Sequence, residues 1–177
     1  MKPMTVFRAG ACLSALLLAA CASQAPAPGS SAPPATSASP QAMAALIRAA
    51  GGDGEGELAV QPLRDPMVED LREQAVAREA QGDLTGAVAA LDQALEIVAD
   101  DPALLQERAE LAVLQQQYPL AATLAERAYA IGSQVGPLCR RHWATLEQVR
   151  LAAGDTAGAA QARAQVDGCR VAGPTRY

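Results

Sequence analysis

Four cysteines and a single histidine are the side chains of this 177-residue sequence whose chemistry goes beyond an ordinary charged surface. A metal site needs His, Cys or carboxylates at ligand spacing, and His142 stands without such partners. Flanked by Arg140, Arg141 and Trp143, it is expected at the surface. Cys139 and Cys169 lack the two-residue spacing of a redox-active pair. The run Gly51-Gly52-Asp53-Gly54-Glu55-Gly56 has neither the spacing nor the lysine of a phosphate-binding loop. No nucleophile can be placed beside a base. No catalytic residue, metal ligand or cofactor is therefore assigned, and the chain is expected not to be an enzyme.

Cys12 and Cys21 lie in a different context. Met1 to Arg8 carries two positive charges, and Ala9 to Ala20 is apolar but too short to span a bilayer. That is the pattern of a secretory signal. It ends in Leu18-Ala19-Ala20-Cys21, which resembles the bacterial lipobox. The resemblance implies that residues 1–20 are a lipoprotein signal peptide and leave with Cys12. It also implies that the Cys21 thiol receives diacylglycerol, with fatty acyl chains such as palmitate. Ala22 after the cysteine implies the outer membrane, facing the periplasm, with the inner membrane as the alternative.

Residues 21–56 read as a tether. Ala22 to Pro40 is almost all Ala, Ser, Pro and Gly, which cannot bury enough apolar surface to order itself. Gln41 to Ala50 has the pattern of a short helix, with Met43, Leu46 and Ile47 on one side. A lead-in at 57–65 has no assigned role. Hydrophobic residues make up 50% of the chain and aromatic ones 3%, so the core must be Ala, Leu and Val, which suits close-packed helices. Net charge is -5, and an acidic surface argues against nucleic acid as a partner.

A unit recurs after 34 residues. Leu71, Ala75, Gln81, Leu84, Ala87, Ala94 and Ile97 become Leu105, Ala109, Gln115, Tyr118, Ala121, Ala128 and Ile131. Asp65-Pro66 and Asp101-Pro102 are cap-and-proline helix starts, and Gly82-Asp83 and Gly154-Asp155 are turns. A third copy opens at Gly136-Pro137 and carries Trp143, Leu146 and Ala159. These residues resemble the tetratricopeptide repeat, a helix-turn-helix stacked into a right-handed α-solenoid. The expected fold is all-α, over residues 66–170, with repeats at 66–100, 101–134 and 137–170 and a tail at 171–177. The sequence departs from the family pattern at Glu147, where a small residue is expected, and at Arg163, where a large apolar one is. Tyr118-Pro119 replaces the usual Gly-Asp turn.

The resemblance implies a concave face lined by the first helix of each hairpin. Counting helical turns places Arg72, Val76 and Glu79 there from the first copy. Gln106, Glu110 and Val113 come from the second, and Arg141, Gln148 and Leu151 from the third. Such a face suits an extended peptide or a partner helix. The sequence has no Asn, and its only Lys is Lys2, so the family's mode of clamping a terminal carboxylate is not expected. Cys139 opens the third hairpin and Cys169 closes it. Antiparallel helices bring those ends together, and an oxidising compartment would join them in a disulfide.

The expected function is protein–protein interaction, as a lipid-anchored scaffold or accessory factor for a cell-envelope complex. The alternative is a pilotin-like carrier for one secretin or pilus subunit. A redox or envelope-modifying accessory enzyme comes last.

Overall fold

Proline-led helix starts and tight turns divide the chain into its elements. The computed structural model describes residues 35–52 and 65–170. They contain α1 (Pro40–Ala50), α2 (Pro66–Ala80), α3 (Leu84–Ile97), α4 (Pro102–Leu114), α5 (Tyr118–Ile131), α6 (Gly136–Ala152) and α7 (Thr156–Gly168). No strand occurs among the described residues. The signal segment, the lipobox with Cys21, residues 53–64 and the tail 171–177 lie outside them.

Three helices begin in the same way. The Asp65 carboxylate accepts from the Met67 amide at 2.8 Å, and Asp101 accepts from Ala103 and Leu104 at 2.8 and 3.0 Å. Ser39 accepts from Ala42 at 3.1 Å. Each cap precedes a proline, whose missing amide leaves no bond unmade in the first turn. The Ser39-Pro40 start lies inside the stretch expected to be tether. Asp83 and Asp155 cap α3 and α7 by accepting from Gly86 and Gly158, each at 2.8 Å.

The turns then fold the chain into three antiparallel hairpins, α2–α3, α4–α5 and α6–α7, stacked so that α3 packs on α4 and α5 on α6. Two of the turns place a glycine in left-handed conformation, Gly82 at φ 79° and Gly154 at φ 77°. The middle turn has no glycine, and Gln116 takes the same role at φ 59°.

Small residues let the helices approach closely. Ala87, Ala90 and Ala94 of α3 pack with Val68, Ala75, Leu91, Leu104 and Leu111. Ala109, Ala125, Leu146 and Ala162 form the core between the second and third hairpins. A fully buried leucine such as Leu104 contributes roughly 2 kcal/mol. The aromatic pair Tyr129 and Trp143 meets edge-on, with centroids 5.0 Å apart, where α5 faces α6. The two departures from the repeat pattern compensate each other, because Arg163 reaches Glu147 at 3.3 Å. Arg163 is two-thirds exposed, so this pair adds little stability.

Cys139 and Cys169 are joined in a disulfide, at a sequence separation of 30. Beside it the Gly136 amide donates to the Cys169 carbonyl at 2.7 Å, closing the open end of the third hairpin.

Replacing Gln116 with Gly removes a left-handed side-chain penalty and should raise unfolding stability by about 0.5–1 kcal/mol in a urea titration. An unchanged or lower midpoint would show that the Gln116 side chain offsets its own backbone cost. Changing both Cys139 and Cys169 to Ser should destabilise the domain by about 3 kcal/mol. Both cysteines are buried. Mild thiol should therefore leave the bond intact until denaturant is added, and free-thiol labelling checks this. Rapid reduction in the folded chain would contradict a structural role.

Candidate functional site

The first helices of the hairpins, α2, α4 and α6, contribute one face of the stack, and over half of it lies α1. Met43 and Ile47 are completely buried there against Ala112 and Val113 of α4 and Ala144 and Val149 of α6. Ala44 is buried with them. Leu46, expected on that side, is 54% exposed. Four residues make one helical turn, so Met43 and Ile47 share a stripe that Leu46 leaves.

Charged bonds hold α1 at its other end. Arg48 donates through Nε to Glu110 Oε2 at 2.9 Å, and through its two Nη atoms to Glu79 at 2.8 and 3.0 Å. Burial works against the Arg48 charge. The hydrogen bonds to Glu79 and then Glu110 outweigh it and hold its pKa above the ordinary guanidinium value. Arg140 donates to the carbonyls of Ala50 and Gly51, satisfying acceptors at the C-terminal end of α1. Ahead of α1, the Ala35 amide donates to the Leu151 carbonyl at 2.8 Å.

Beneath α1 runs a polar chain. Glu110 is 1% exposed, and its Oε1 accepts from Arg141 at 2.9 and 2.6 Å and from Gln106 at 2.9 Å. Gln106 also donates to Thr145 Oγ1 at 2.9 Å, and the Thr145 hydroxyl donates to the Arg141 carbonyl. Gln106 Oε1 lies 2.7 Å from His142 Nδ1, and since an amide oxygen only accepts, Nδ1 carries the proton. His142 is therefore not the surface residue the sequence suggested. It is fully buried, and its Nε2 has no hydrogen-bond partner among the described residues. Burial, with the Arg141 charge added, lowers its pKa to about 4.

The nine expected groove residues thus divide. Gln106, Glu110, Val113 and Gln148 are buried, and Glu110 and Val113 are among the contacts that seat α1. Arg141 and Leu151 are half-buried at its margin. Arg72 is tied to Glu107 of α4, at 3.0 and 2.8 Å through Nε, and to Glu69 at 2.9 Å. Glu79 is engaged by Arg48. Val76 is 62% exposed and stands beside open space. That space is a recess of about 350 Å³ between α2 and α4, with Ala75, Val76, Leu91 and Leu111 on its walls and Arg48 and Glu79 at its rim. Gln41 to Ala50 has the sequence pattern of a short helix, but reasoning along the repeats missed its place on this face and the role of Arg48. The Ser39-Pro40 start, alike in kind to Asp65-Pro66, was the available signal. Among the described residues no His/Cys/carboxylate group has metal-site geometry.

Fold and site together define a stack of helical hairpins whose inner face is part filled and part open. No protein-family model matches the chain, and no curated protein matches it. Among solved structures it is similar to the globular C-terminal domain of LpoP from P. aeruginosa, at 29% identity and a TM-score of 0.55. The match covers 59% of this chain and 99% of that domain.

An unfolded chain takes up a proton at His142 near pH 6.5, while the folded chain does so only near 4. The folded state therefore binds fewer protons in that window, and stability falls as pH drops from about 6.5 to about 4, by about 3 kcal/mol from this residue. Urea midpoints measured from pH 7.5 to 4 should fall more steeply for the parent than for His142→Gln. Equal slopes would contradict the buried, neutral imidazole.

Proposed function

We propose that this chain is a lipid-anchored accessory protein of the bacterial cell envelope that binds a protein partner through the inner face of its helical stack. The observation that carries the reading is the likeness to the LpoP domain, which spans 99% of that domain. It supports an envelope accessory role at a coarse level, and a binding rather than a catalytic one. The finer statements rest on the sequence. The lipobox at Leu18 to Cys21 supports acylation at Cys21 and an outer-membrane anchor facing the periplasm. The 34-residue period supports a tetratricopeptide-type stack. The open recess beside Val76 is the part of the inner face a partner reaches without rearrangement.

Both cysteines of the third hairpin are buried, which disfavours a redox role that needs an accessible thiolate. No observation favours the pilotin-like alternative.

A crosslinked pull-down from envelopes tests the proposal. The control variant carries Val76→Glu and Ala80→Glu, both at exposed positions, so the fold is kept. Glu110 and Arg141 are left unchanged, because removing either disturbs a buried ion pair. One protein recovered with the parent and lost with the variant is the expected result. The same partners with both would exclude the recess, and no partner with either would overturn the reading.

A further inference from the structure

We propose that the α4–α6 face is a receptor for an amphipathic helix, and that α1 is its resident occupant, which yields to a partner helix of the same chemistry. The inference rests on the protein-binding reading above and names the kind of partner.

Four observations carry it. First, α1 stands outside the repeat. The other six helices pair as hairpins, whereas α1 packs across the first helices of two of them, α4 and α6, and reaches α2 through Arg48. Its sequence neighbours on the C-terminal side are glycine-rich, Gly51 to Gly56. Second, α1 binds as a short helical ligand does. Met43 and Ile47 are fully buried anchors one turn apart, Ala44 fits between them, and Gln41, Ala42, Ala45, Leu46 and Ala49 face away.

Third, the charged contact is built to release. Glu110 Oε1 belongs to Arg141 and Gln106, both on the stack itself. Only Oε2 accepts from α1, through Arg48. When α1 leaves, the buried carboxylate keeps its partners on the stack. The freed Oε2 and the two oxygens of Glu79 then form a clamp shaped for a guanidinium. Fourth, the floor of Ala112, Val113, Ala144 and Val149 is apolar and needs cover, so a partner must replace α1 rather than simply expose the face.

The partner is therefore a helix with apolar residues at i, i+1 and i+4 and an arginine at i+5, the pattern of Met43, Ala44, Ile47 and Arg48. The recess beside Arg48 continues the groove toward α2. A helix longer than the 11 residues of α1 gains contacts there that α1 does not make. That gain is what allows it to compete with a tethered segment, whose effective concentration is on the order of millimolar.

The test uses the full chain, purified in detergent, and a fluorescein-labelled synthetic peptide with the sequence of residues 36–52. In the parent chain the resident helix blocks the peptide. In a chain carrying Met43→Asp and Ile47→Asp the face is vacated, and the peptide should bind at least tenfold tighter. A peptide carrying Arg48→Gln should bind the same variant at least tenfold more weakly than the unaltered peptide. Equal binding to parent and variant, or no binding to a variant of unchanged helix content, would overturn the inference. So would loss of cooperative unfolding in the variant, since α1 would then be part of the core. Hydrogen exchange on the parent is an independent check. Amides of α1 should exchange well ahead of those of α4, and equal protection would count against release. No cellular partner enters these measurements. A peptide that binds while the pull-down recovers nothing leaves the helix receptor standing and overturns the envelope-partner reading.

Discussion

Glu110 is a carboxylate taken almost wholly out of water, and much of the inner face is arranged to satisfy it. An unpaired charge at such a site would cost several kcal/mol. Its partners come from three helices: Arg48 of α1, Gln106 of α4 and Arg141 of α6. Gln106 in turn is oriented by Thr145 and His142, which fixes its amide and the tautomer of the imidazole. Losing Gln106 or Arg141 leaves a neighbour with an unmade bond in a dry place, whereas Arg48 bonds the other oxygen, Oε2. The register between the second and third hairpins is thereby coupled to the seating of α1.

Around this polar chain the packing is built from small residues. Alanine cores bring helices close while burying less apolar surface per residue than leucine or phenylalanine would. The stack compensates with capped helix starts, a disulfide across its last hairpin, and guanidinium–carboxylate ties between successive hairpins. Arg72 to Glu107 and Arg108 to Asp92 link the first hairpin to the second. Arg72 is held above the ordinary guanidinium pKa, chiefly by its hydrogen bond to Glu107 against an opposing cost of burial. An inner face lined this way offers a partner fixed charges at known positions beside apolar floor.

Much of the scaffold was legible in advance, for local reasons. Asp-Pro starts, Gly-Asp turns and the 34-residue recurrence are short-range signals, and they pointed to an all-helical chain of stacked hairpins. Tyr118-Pro119 was read as the unusual turn, but that Gln116 would carry the left-handed conformation was not. Glu147 and Arg163 looked like two separate flaws. They are one ion pair, a relation visible only when α6 and α7 lie side by side. His142 misled because its sequence neighbours are arginines, whereas its spatial neighbour is Gln106 from another hairpin.

The sequence by itself determined the all-α class of fold, because caps, turns and helical periodicity are set within a few residues. Only the tertiary structure decided which part of the inner face is open. The occupant of the rest is a segment 62 residues from the carboxylate it binds, and its Ser39-Pro40 start sits in a stretch whose composition reads as tether. A helix of 11 residues is marginal alone and becomes stable by burying Met43 and Ile47 against a surface the hairpins must first create. That surface exists only after the hairpins have stacked, and no reading along one segment contains it.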